Sequence, residues 1–158
     1  MREVWIQAVV RSTAHEGYRL LSDFDAYPRY MSSVRSVSVR EHSEAGCTSV
    51  WEVEFREGTL KWIERDTFLP EQNRIDFEQI EGDLLVFKGS WQVTGAGDGR
   101  SEVEFRSVFD LGIPSLAAFL EPVAEDALVE NVEKVLRGLF GSDTRVAVTR
   151  RMEIGAEA

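Results

Sequence analysis

"ALVENVEKVLRGLF" (residues 127–140) is written in a different period from the text before it. Ala127, Leu128, Val132, Val135, Leu136, Leu139 and Phe140 recur at three- and four-residue steps, which on a helix of 3.6 residues per turn forms one broad apolar stripe. Carried back through Val123, Leu120, Phe119 and Leu116, the stripe predicts one long helix beginning after Pro114. Gly141 stands where a C-cap belongs, and Pro122 marks either a kink or a delayed start. A helix this apolar needs a broad surface to cover it.

The preceding text supplies that surface. From Val34 to Phe109 the apolar residues alternate, in runs near 34–42, 47–57, 59–69, 73–81, 84–94 and 101–110. The separators, among them Pro70-Glu71-Gln72-Asn73 and Glu81-Gly82-Asp83, are short enough for antiparallel hairpins. Residues 2–11 alternate as a first strand, and Thr13 with Glu16 forms a capping-box signal for a helix over 14–22. In "SDFDAYPRYM" (22–31), Ser22 and Asp23 offer new caps and Pro28 breaks the run, which suits a second short helix. The order predicts an α+β fold: a curved antiparallel sheet of about seven strands wrapped around the last helix, as a single domain over 1–141. Residues 142–158 carry charges without a period and read as a frayed tail.

The formal net charge of −10 and a pI near 4.7 set the chain against nucleic acid and anionic membrane surfaces. No apolar run reaches the length of a membrane span, and the first residues alternate rather than forming a leader, so a soluble cytoplasmic protein is expected. Cys47 is the sole cysteine and His15 and His42 stand alone, so neither a disulfide nor a metal site is expected, and no cofactor is implied. The glycine-rich Gly95–Gly99 run precedes a strand rather than a helix and reads as a turn, not a phosphate cradle.

Alternation places Trp51, Val53 and Phe55 on one face of the third strand and Ile75, Phe77 and Gln79 on one face of the fifth. Leu85, Phe87, Trp91 and Val93 share a face on the sixth, and Val103, Phe105, Ser107 and Phe109 on the seventh. Between sheet and helix these faces either fill a core or wall a cavity for a flat hydrophobic ligand. In "LKWIERDTF" (60–68) Glu64 and Asp66 share the face of Trp62. A bulge would turn them to solvent, and an arginine such as Arg35 or Arg106 would make them structural. Facing an apolar cavity, they would form an acid/base pair with raised pKa values. Asn131 stands as a donor to a ligand carbonyl or as a satisfied buried amide, and of Tyr27 and Tyr30 one is expected at the cavity mouth.

"SDFDAYPRYM", "LKWIERDTF", "GDLLVFKGSWQV" (82–93) and "ALVENVEKVLRGLF", in that order, resemble the START-like (SRPBCC) helix-grip superfamily, specifically its polyketide cyclase/aromatase and coenzyme Q-binding branch. The resemblance implies an internal cavity in which a carrier-bound poly-β-ketone undergoes aldol cyclisation and dehydration. It places wall roles on Met31, Trp62, Phe87, Trp91 and Phe105 and polar roles on Glu64 and Asp66. Several such cyclases carry a hydroxyl residue and an arginine at the polar positions; this chain has two acids, and Arg65 points to the opposite face. The expected catalytic residues are therefore Glu64 and Asp66, with Tyr30, Met31, Trp51, Trp62, Phe77, Gln79, Phe87, Trp91, Phe105 and Asn131 binding substrate. The expected partners are a polyketide or other hydrophobic small molecule and an acyl carrier protein. The family also contains carriers of quinones and lipids that change nothing, and modules that bind macromolecules, so the fold leaves these alternatives open.

Overall fold

A computed structural model describes residues 1–55, 58–112 and 114–152, with the side chains of all but 114–119. Strand β1 (Arg2–Val10) leads into α1 (Ala14–Ser22), whose N-cap Thr13 accepts from the Glu16 N–H at 3.2 Å. A 3₁₀ segment, Phe24–Arg29, holds Pro28. Strands β2 (Val34–Arg40), β3 (Gly46–Phe55), β4 (Gly58–Leu69), β5 (Arg74–Gly82), β6 (Val86–Gly97) and β7 (Arg100–Asp110) follow. Helix α2 (Pro114–Phe140) runs through Pro122 without ending there. It stops at Gly141, whose φ of +120° favours glycine and whose N–H donates to the Arg137 carbonyl at 2.9 Å. Leu116 and Phe119 of the predicted stripe have side chains outside those described.

With a last strand, β8 (Val146–Met152), the strands form one antiparallel sheet in the order β2-β3-β4-β5-β6-β7-β1-β8. Chain-order neighbours β2 to β7 pair as hairpins, and β1 returns beside β7. The Gly95–Gly99 run lies at the β6–β7 turn, with Asp98 and Gly99 both at positive φ. The sheet with α2 across it is the helix-grip arrangement, and residues of both fill one core that includes Val4, Ile6, Ile75, Val103, Val135 and Leu136.

Two expectations are corrected. The tail does not fray throughout: β8 (Val146–Met152) pairs with β1, with Ile6 opposite Val148 and Val4 opposite Arg150. Val146 and Val148 pack on the core, but only these two carry the alternation, and the charged residues after them hid the strand. Leu85 sits before β6 and is 66% exposed, because the strand starts one residue later and the alternation does not reach it.

Gly138 matters to the geometry. A Cβ there would overlap the Tyr30 ring, so the glycine lets the 3₁₀ segment's end close against α2. Tyr30 is thereby used in packing. Among the described residues no helix is long and apolar enough to cross a membrane.

Candidate functional site

Register between β3 and β4 assembles the polar end of the site. Trp51 lies opposite Trp62, Ser49 opposite Glu64 and Cys47 opposite Asp66, so alternation sends all six side chains to the same face. The β4–β5 register shifts between Ile63 and Glu64, yet the acids stay inside: Glu64 is 5% and Asp66 1% exposed. The irregularity does not turn them to solvent.

No arginine or lysine among the described residues reaches them. Arg35 pairs with Glu54 at 3.5 Å, and Arg106 stacks over the Trp5 ring at 4.4 Å. Neutral donors take their place. Ser49 Oγ donates to Asp66 Oδ2 at 2.5 Å, the Cys47 thiol donates to the same oxygen at 3.6 Å, and Trp51 Nε1 donates to Ser49 Oγ at 2.8 Å. Trp62 Nε1 donates to Glu64 Oε1 at 2.8 Å. The two carboxyls are also hydrogen-bonded to each other, which requires that one hold a proton. Asp66 Oδ1, buried with no ordinary donor, has acceptor capacity for it.

Burial favours the protonated form of both carboxyls, and of Glu64 the more strongly. Burial, then the hydrogen bond to Asp66 and its charge, push the Glu64 carboxyl well above its ordinary value, against a smaller opposing effect from the Trp62 N–H. Asp66 is also raised by burial, but the bonds from Glu64, Ser49 and Cys47 oppose this and favour its ionised form. The result is a pair sharing one proton, with Glu64 the member on the cavity.

The cavity lies between sheet and α2 and has a volume of about 140 Å³. Met31, Trp51, Trp62, Glu64, Phe77, Phe87, Trp91, Phe105 and Asn131 line it. Three residues expected there do not. Asp66 sits behind Glu64, Tyr30 packs at Gly138, and Gln79 turns its Nε2 to the Leu84 carbonyl at 2.7 Å. Ring contacts make the wall continuous: Trp51 and Trp62 stack at 6.0 Å with planes 4° apart, and Phe87 meets Trp62 edge-on at 5.4 Å. Asn131 accepts from Ser33 Oγ at 2.6 Å, so what it has left for a ligand is its amide N–H₂.

Sequence reasoning missed Ser49 and Phe24, and it left open which of Tyr27 and Tyr30 stands at the cavity; it is Tyr27. Ser49 shares the parity of Cys47 and Trp51, so pairing β3 with β4 would have placed it against the acids. Phe24 and Tyr27 recur three apart on the 3₁₀ segment, and their rings meet Trp51 at 6.0 and 5.7 Å. Tyr27 closes the cavity while its hydroxyl donates to the Leu21 carbonyl at 2.6 Å. Its phenol is held well above its ordinary pKa by burial and then by Glu64, Asp66 and Asp23, so it stays protonated.

Residues 10–136 match the family model described as polyketide cyclase / dehydrase and lipid transport. No curated protein matches the chain. Among solved structures, a Thermus thermophilus protein, TTHA0849, is 26% identical with a TM-score of 0.78, over 87% of this chain and 93% of its own. A START superfamily protein from Mycobacterium smegmatis is 17% identical with a TM-score of 0.76, over 90% and 99%. The Zhui aromatase/cyclase from a Streptomyces species is 17% identical with a TM-score of 0.74, over 88% and 94%. At 17% identity the likeness carries the fold alone.

Proposed function

We propose, from the premise that this chain belongs to the polyketide cyclase / dehydrase and lipid transport family, that it is a cyclase/dehydratase. Its substrate is a β-hydroxy ketone of polyketide type, and Glu64 is the proton-transferring group. The observation that carries the reading is the hydrogen-bonded Glu64–Asp66 pair, buried without a cation among the described residues, with Glu64 in the wall of an aromatic cavity.

A pair of this kind accepts a second proton readily, because burial favours the neutral form of each carboxyl. Glu64 takes the proton α to the ketone as its own proton passes across the mutual bond to Asp66, and the enolate oxygen receives the N–H₂ that Asn131 has left to offer. The β-hydroxyl then departs with that proton as water, the C–O bond breaks, the C=C bond forms, and the pair returns to one proton. Asp66 touches no substrate; it keeps Glu64 protonated in the resting site and so acts as a positioning residue.

The test is product analysis in a reconstituted polyketide synthase reaction with and without the protein. Glu64→Gln keeps the shape and a carbonyl acceptor but cannot exchange the proton, and lowers turnover by about 10²–10⁴-fold. Wild-type rates in that variant would remove Glu64 from the chemistry. A wild-type protein that binds ligand but alters no product would make it a carrier.

A further inference from the structure

We infer that the cavity is a one-ring site for an uncharged hydroxyl donor, an enol or hydroxyarene whose O–H is given to Glu64, and that it rejects carboxylates. This rests on reading the cavity as the substrate site and names the class of molecule it takes.

Volume sets the first limit. About 140 Å³ is close to the roughly 150 Å³ engineered cavity that takes up benzene, and well below the roughly 300–1,000 Å³ of sites for drug-sized ligands. One six-membered ring fits against Glu64, and any longer chain extends past the partly exposed Phe55 and Leu60 toward solvent.

Hydrogen-bond inventory sets the second. The indole N–H groups of Trp51 and Trp62 are committed to Ser49 and Glu64 and the Tyr27 hydroxyl to Leu21, while the Asn131 N–H₂ is left to meet a ligand oxygen away from Glu64. The proton between the acids lies in their mutual bond. What Glu64 still presents is lone pairs, one on the oxygen that receives Trp62 and others on its second oxygen. A ligand group meeting it must therefore donate.

Charge sets the third. Among the described residues the wall contains no lysine or arginine; their ionisable side chains in it are Glu64, Tyr27 and, at the exposed rim, Glu54. A carboxylate entering would be buried beside the acid pair with no cation among the described residues to meet it. An ammonium group is not the complement either. Asp66 already receives Ser49 and Cys47, and Glu64, not Asp66, is the acid that lines the cavity.

The experiment is a titration of wild-type protein with phenol, anisole, benzoate and benzylammonium, followed by tryptophan emission and calorimetry. Phenol binds; anisole, of similar shape but without a donor, binds about three- to tenfold more weakly; benzoate binds at least about a hundredfold more weakly. Glu64→Gln, which retains an acceptor, keeps the preference for phenol over anisole while losing turnover, and Glu64→Leu removes the preference. Equal affinities for phenol and anisole, benzoate binding on a par with phenol, benzylammonium binding tightest, or no binding by any of the four would each overturn the inference. The wild-type panel decides even if Glu64→Leu does not fold. Because the panel reads binding alone, its failure leaves the turnover test of Glu64 standing, and failure of that test leaves the panel standing.

Discussion

Two pairs of acids are buried in this fold under opposite conditions. Glu121 and Glu125 on α2 are 7% and 5% exposed, and each meets a cation: Arg2 lies 3.5 Å from Glu121 and 3.6 Å from Glu125, and Arg150 lies 3.3 Å from Glu125. Glu64 and Asp66 are buried as deeply and, among the described residues, meet only neutral donors and each other. The first pair joins α2 to strands β1 and β8, which is a structural use of charge. The second reaches the cavity through Glu64, and burial of acids without compensation is what a fold avoids unless the site needs a movable proton.

The largest effect expected from this contrast comes from removing the compensation. Arg2→Met leaves Glu121 without its cation and Glu125 with Arg150 alone, and should lower stability by about 3 kcal/mol in a urea melt. Phenol affinity of the folded protein stays unchanged, because Arg2 does not line the cavity. A loss below about 0.5 kcal/mol would mean that the two acid pairs do not differ in the way described.

A second, smaller effect sharpens the contrast from the other side. Glu64 and Asp66 have folded-state pKa values raised above their ordinary 4.5 and 3.8. The stability they contribute is therefore complete below those ordinary values and is lost as pH rises through the raised ones. Relative to wild type, the Glu64→Gln/Asp66→Asn double variant should gain stability from about pH 4.5 upward, at no more than about 1.4 kcal/mol per pH unit for each carboxyl. Melts of both proteins across pH 4 to 8 measure the gap. A gap that closes as pH rises would mean that the acids are stabilised as anions.

The aromatic and acidic residues of β3 to β7 were legible because one physical rule, alternation, fixes both strand and face. Trp51, Trp62, Glu64, Phe87, Trp91 and Phe105 all lie in the cavity wall. What alternation does not carry is depth. Asp66 and Glu64 share a face, yet only Glu64 reaches the cavity, and Asp66 meets Ser49 and Cys47 on the neighbouring β3. Tyr30 turned on a glycine over a hundred residues away, Gly138, and β8 on a pairing partner at the other end of the chain. Such contacts are tertiary, and no local period encodes them.

The smallest effect reads the Asp66 charge through its neighbour. The Cys47 thiol, 5% exposed, is pushed up to about 12, by burial first and then by the charge of Asp66 and the hydrogen bond to it. At pH 8 only about one thiol in ten thousand is then ionised, against roughly a quarter of ordinary thiols, and the thiolate is the reactive form. Iodoacetamide should therefore label native protein no faster than the protein unfolds, and urea should restore ordinary reactivity. In Asp66→Asn the charge goes but burial, the larger cause, remains, so labelling of the folded protein should rise by less than about tenfold. The compensated cluster has no thiol to report on it, which makes Cys47 the one native probe of the uncompensated pair. Rapid labelling of wild-type protein in buffer would place this end of the site in contact with water. Acids in contact with water are solvated, and the distinction between the two pairs would then reduce to one of location.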